Sequence, residues 1–234
     1  WIPSYPKSKK VTGSGLYILS LILYMKVSLI FFILLSIMYS QERYPADSIL
    51  KSPNISFFSK VALLPIAGWQ RISYNTNLFN CQFYPSCSNY GTDAIKKYGM
   101  IKGGSIASER ITRCNPKAYH YQLQQKRPFK GEDGRLIDPV DISTINPSKK
   151  SPYIAALISV IIPGSGRFYA GRKFDGISGL WSFILYSYTA YGTKNNKNKI
   201  TTSIFTSLCF YVYLGEIYGG WRTAKYYQPP EKSD

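Results

Sequence analysis

The sequence predicts a mainly α-helical chain, with a small helical unit followed by helices suited to a membrane. Three observations carry that expectation. Residues 88–114 show two helix-period stripes separated by Gly99. Residues 152–162, 176–191 and 200–218 are three apolar runs divided by basic breaks rich in glycine and asparagine. Between these regions, residues 115–151 are polar, contain prolines and lose periodicity.

The N-terminal residues 16–39 admit two parses. As one apolar stretch they are long enough to cross a bilayer, but Lys26 would sit mid-membrane at a cost of at least ~2.5 kcal/mol. Alternatively, Met25-Lys26 is a start with a basic n-region, residues 27–38 are the apolar h-region, and Ser40 is the small residue before Gln41. The second parse is preferred. It makes residues 1–41 an extension carrying a signal peptide or signal anchor, with residues 1–24 upstream of the working protein.

Residues 57–73 read as a helix bent at Pro65, because proline removes a backbone donor. Val61, Leu64 and Gly68, with Leu63 and Ile66 beside them, form its apolar face, and Trp69 and Arg71 its wet end. Ser88 suits an N-cap for the next helix, on which Tyr90, Ala94 and Tyr98 share a face, and Gly99 suits its C-cap. A further stripe, Met100, Gly104, Ala107, Ile111 and Cys114, then brings Cys114 back toward the start of the hairpin. Residues 57–142 are expected to form one helical domain, 143–151 a linker, and 152–228 a membrane hairpin with two or three transmembrane segments.

The net charge is +17, from 29 basic and 12 acidic residues. It is spread along the chain: residues 1–41, 42–150 and 151–234 hold four, sixteen and nine basic residues against none, eight and four acidic ones. Spread positive charge suits anionic lipid headgroups. No helix-turn-helix, zinc-finger or RNA-recognition pattern is present, so no nucleic-acid partner is expected. Nor is there a phosphate loop, a nucleophile elbow or a paired-carboxylate arrangement, and no catalytic residue is assigned. Glu216, a carboxylate in an apolar run, reads as the partner of a basic residue.

Two cysteine-anchored strings are the most specific motifs. Residues 81–90 run Cys-Gln-Phe-Tyr-Pro-Ser-Cys-Ser-Asn-Tyr, and residues 113–116 run Arg-Cys-Asn-Pro. Downstream lies Asp138-Pro139-Val140. This order resembles the YidD family of membrane-protein insertion efficiency factors, whose signature is Cys-x-Phe/Tyr-x-Pro-Ser/Thr-Cys-Ser-x-Tyr, then Arg-Cys-His/Asn-Pro, then Asp-Pro-Val. A second string comprises Pro163, Gly164, Gly166, Tyr169 and Gly171 in the pattern Pro-Gly-x-Gly-x-x-Tyr-x-Gly. It resembles a bacterial membrane-hairpin module and implies topology rather than chemistry.

The YidD resemblance implies a non-enzymatic accessory factor in the bacterial inner membrane, with the translocon–insertase machinery and nascent membrane proteins as partners. On that reading the contacts to lipid or partner come from Lys96, Lys97, Lys102, Arg110 and Arg113, with Trp69, Phe83, Tyr84 and Tyr90 at the interface. Cys81, Cys87 and Cys114 remain open between reduced packing, a disulfide, a metal site and a catalytic thiolate. The five-residue spacer is longer than structural zinc sites prefer, so neither metal nor other cofactor is expected. Rival classes are a structural anchoring subunit of an envelope complex and a cysteine-dependent redox protein.

Overall fold

A computed structural model of the chain describes residues 44–76, 80–141, 149–195 and 199–227. The expected signal or anchor at residues 1–41 lies outside the described residues. Helices dominate the described residues, with one pair of two-residue strands.

Helix α1 (Pro45–Lys51) starts on a proline, whose missing N–H costs nothing at a first-turn position. Helix α2 (Phe57–Ser73) is capped by Ser56, whose hydroxyl accepts from the Ser59 amide. It contains Pro65 and buries Ser59, Leu63, Ala67 and Gln70. Gln70 accepts from the Ala46 amide and donates to Asn89, which ties α1 and α2 to the helix that follows. Leu63 packs with Ile49 and Ile95, whereas Val61 and Leu64 of the expected apolar face stay exposed.

Helix α3 (Cys87–Arg113) begins two residues earlier than expected, because Ser86 and not Ser88 supplies the cap, accepting from Asn89 N–H. Gly99 interrupts it at φ 78° and ψ −177°, and the two arms fold against each other. Their backbones approach so closely that a Cβ on Gly103 would lie 2.5 Å from Ala94 O. Tyr90, Ala94 and Ile106 fill the seam.

The stripe expected on the second arm is displaced. Ile111 is 65% exposed, while Gly103, Ser105, Ile106, Glu109, Arg110 and Arg113 are buried. Apolar spacing pointed to the wrong face because the true inner face is largely charged.

Strand β1 (Phe83–Tyr84) pairs in parallel with β2 (Leu136–Ile137), and helix α4 (Ala118–Gln124) lies between them in sequence. Both α4 and β2 fall where no element was expected. Seven and two residues are too few to show a period.

The remaining helices are α5 (Pro152–Ile161), α6 (Ser165–Tyr169), α7 (Lys173–Thr193) and α8 (Lys199–Tyr226). Helix α8 packs on α3, α5, α6 and α7. Among the described residues it is the one helix long and apolar enough to cross a membrane, by length and composition. The expected Pro-Gly string forms the α5–α6 turn. Gly164 takes φ +89°, and Gly166 lies so close to Ala155 and Ser159 of α5 that no side chain fits there. The Tyr169 hydroxyl accepts from the Ser151 amide at the start of α5.

Candidate functional site

Two constellations stand out, and they are neighbours. The first is the thiol cluster. The segment leading into β1 places Cys81, the start of α3 places Cys87, and the C-cap of α3 is Cys114. The Sγ atoms of all three lie within 4.8 Å of one another, those of Cys81 and Cys87 3.4 Å apart, and the thiols are free. The Cys87 amide donates to Cys81 Sγ at 3.2 Å, and Gln82 Nε2 donates to Cys114 Sγ at 3.5 Å. Phe83, Ala118, Leu136 and Phe129 pack around the sulfurs.

Hydrogen bonding to Cys114 and Cys87 holds the Cys81 thiol well below the usual range. The same bonding, with burial, pushes Cys87 and Cys114 up. A cleft of about 690 Å³ reaches Cys81 and Cys87, bordered by Trp69, Tyr74, Tyr119 and Arg135.

The second constellation is a buried ion lattice. Asp138, just after β2, is 1% exposed and accepts from Arg110 and Arg113 of α3 and from Arg222 of α8, the last at 3.0 Å. Arg127 stands 3.6 Å away. Glu109 takes the Arg113 Nε–H and faces Arg167 at 3.4 Å and Arg222 at 3.7 Å. Arg167, fully buried in α6, also pairs with Glu216 of α8 at 2.8 Å. Arg172 pairs with Asp175, which accepts from the Asn115 side chain at 2.6 Å. Six arginines thus face four carboxylates.

Burial alone would raise the Glu109 carboxyl, but Arg113, Arg222 and Arg167 bring it down to about 2. Asp138 is likewise held well below the carboxylate range by Arg113, Arg222 and Arg110 against its burial. The two constellations touch through Phe83, which packs on the cysteines and carries the Arg110 guanidinium 3.8 Å above its ring.

The chain matches the YidD family, described as "Putative membrane protein insertion efficiency factor", over residues 58–121. A protein of that description from Colwellia psychrerythraea is 48% identical over 63 residues, which is 27% of this chain and 77% of the relative. One from Oleidesulfovibrio alaskensis is 48% identical over 59 residues, 24% of this chain and 66% of the relative. One from Syntrophomonas wolfei is 54% identical over 37 residues, 16% of this chain and 54% of the relative. The chain belongs to the YidD family. No solved structure matches it.

The YidD match runs from α2 into α4 and contains all three clustered cysteines. Asp138, Arg167, Arg172, Asp175, Glu216 and Arg222 lie beyond it. The lattice therefore joins the YidD stretch to the C-terminal helices.

Sequence reasoning placed several side chains on the wrong side of the surface. Arg110 and Arg113 were expected to meet lipid or partner, but they are 0% and 2% exposed and held by Asp138. Tyr90 and Phe83 were expected at an interface and are buried under the Arg110 guanidinium. Lys96, Lys97 and Lys102 are exposed; Lys97 pairs with Asp141, and Lys102 lies over the Tyr98 ring. Trp69 is 45% exposed, and Tyr84 is partly covered by Lys130 and Arg135. Glu216 does have a basic partner, Arg167. Missed altogether were Glu109, Arg167, Arg172, Asp175 and Arg222, while Asp138 was named only as part of the Asp-Pro-Val string and not as an ion partner. Their signal was charge at positions flanking or interrupting apolar runs, which marks either pairing or function.

Proposed function

We propose that this protein is a non-enzymatic accessory factor in the insertion of membrane proteins, working from the bacterial inner membrane. Family membership supports the accessory role. The observation that carries the membrane location is uncovered apolar surface.

On α2, Phe57, Phe58, Val61, Leu64, Trp69 and Ile72 are 41–74% exposed and recur at helical spacing along one side. The opposite side of α2 packs on α3. On α7, Ile177, Trp181, Ile184, Leu185 and Tyr188 are exposed, as are Ile200, Ile204 and Phe210 on α8. Large apolar side chains exposed along three helices in this way mark a membrane or protein contact rather than a solvated surface.

In this reading α7 and the first half of α8 enter the hydrocarbon, together with the exposed face of α5. Helix α2 lies in the headgroup plane as an interfacial helix. Lys96, Lys97 and Lys102 face anionic lipid or the translocon–insertase machinery, and nascent apolar segments are held briefly alongside. The glycine-rich string at residues 163–171 serves as the turn that seats the C-terminal helices on the YidD stretch.

The test replaces Phe58 and Leu64 together by Glu and follows two quantities: flotation with vesicles containing anionic lipid, and insertion of a model substrate by membranes carrying the variant at matched level. The expected outcome is intact flotation through α7 and α8, with reduced insertion. Undiminished insertion would remove α2 from the mechanism.

A further inference from the structure

We propose that Cys81, Cys87 and Cys114 form a three-thiolate site for a thiophilic d¹⁰ cation, with Zn²⁺ as the resident ion. A zinc ion bound by thiolates at about 2.3 Å requires sulfur–sulfur separations of roughly 3.8–4.0 Å. The three Sγ atoms already lie within 4.8 Å of one another, with one pair at 3.4 Å. Shifts of about an ångström or less in these three side chains would close the site. The long spacer that argues against zinc in the sequence is bridged in space: Cys81 and Cys87 flank β1 and the Ser86 cap, and the hairpin at Gly99 returns Cys114 to the same point.

Three further observations fit a metal–thiolate centre. The first is the pair of donors aimed at sulfur, Cys87 N–H on Cys81 and Gln82 Nε2–H on Cys114. Bonds of this kind orient ligating groups and settle their charge. The second is electrostatic. Zinc with three thiolates carries a net negative charge, and the adjoining lattice holds six arginines against four carboxylates, with Arg110 reaching the cluster across Phe83. The third is access. Cys81 and Cys87 border the cleft, so the fourth coordination position is open to water there.

Among the described residues no further protein group completes the set. Asn115 is engaged with Thr112, Lys117 and Asp175. His120 instead bonds Gln124 on the exposed side of α4. Soft sulfur ligands select zinc or Cu⁺ over magnesium, calcium or manganese.

The test uses the full chain in detergent, purified under reducing conditions without added metal, then stripped and retitrated with Zn²⁺ and with Co²⁺. Expected are one zinc per chain by elemental analysis, an ultraviolet sulfur-to-cobalt charge-transfer band, and protection of three of the four thiols from alkylation by one equivalent of Zn²⁺. Cys209, which contacts Ser187 between α7 and α8, is the internal reference, and its labelling should not respond to zinc. Gln82→Met keeps the side-chain length, removes the donor to Cys114, and should weaken zinc about 10–100-fold. Cys114→Ser should weaken it further and, with two thiolates left, shrink the cobalt band. The stripped wild type reports on the site even if that variant folds poorly.

Two results would overturn the proposal. One is a Cys81–Cys87 disulfide recovered in place of metal, which would make the cluster a redox pair. The other is three reduced thiols that neither bind Co²⁺ through sulfur nor gain protection from Zn²⁺.

Discussion

Replacing Asp138 by Asn should destabilise the protein more than any surface charge change can. The carboxylate is 1% exposed and meets Arg110, Arg113 and Arg222, all buried themselves. Asparagine keeps the volume but removes the negative charge, so three guanidinium groups share a site without it. Removing one partner of a buried ion pair costs about 3–5 kcal/mol, because the remaining charge stays desolvated. For a domain of this size each kcal/mol moves Tm by about 2–4 °C, giving a fall of roughly 6–20 °C.

Intrinsic tryptophan fluorescence during thermal unfolding in detergent measures that fall. Asp141→Asn is the control, since Asp141 is exposed beside Lys97, and its Tm should match the parent. Adding Arg222→Met to Asp138→Asn should recover part of the loss, because one orphaned charge then disappears. A Tm within about 2 °C of the parent for Asp138→Asn would show that the lattice does not depend on that carboxylate.

Two further outcomes follow from the same structure. Glu109 is held at about 2 against an ordinary 4.5, and Asp138 is also depressed, so their stabilisation is complete above pH 4.5 and drains as pH falls from there toward 2. Thermal unfolding in steps from pH 6 to pH 2 should show that decline, and a Tm that stays level below pH 4 would contradict it. Changing Lys96, Lys97 and Lys102 together to Gln should lower insertion of a model substrate while leaving Tm nearly unchanged, since all three are exposed; equal insertion at matched expression would leave electrostatic docking without support.

What could be read from the sequence follows the physics of each element. The helical hairpin was legible because Gly99 and the Tyr90–Ala94 spacing are local signals. Helices α5, α7 and α8 were legible because apolar runs need no partner to be recognised. The inner face of the second α3 arm was not, since Glu109, Arg110 and Arg113 have the composition of a solvated face and only long-range partners make them a core. Residue type did contain a clue. The described lysines all avoid full burial, whereas Arg110, Arg113, Arg167, Arg172 and Arg222 are buried. A guanidinium offers a planar fork of donors and holds its hydration less tightly than an ammonium, so it tolerates the interior better. The thiol cluster was half legible: the motif named the cysteines, but their meeting point depends on the hairpin and on the β1–β2 pair.

The lattice also bears on how the protein itself is made. Helix α8 carries Glu216 and Arg222, and neither finds its partner within α8: Glu216 is matched from α6, and Arg222 from α3 and the residue after β2. Taken alone, the second half of α8 would carry two buried charges without a partner, a cost that pairing removes. With α3, Asp138 and α6 already in place, those charges enter as matched pairs. The seating of α8 thus depends on α3, α6 and the residue after β2. A factor that we propose assists other membrane proteins would be a demanding client in its own right, able to seat α8 only once those partners have folded.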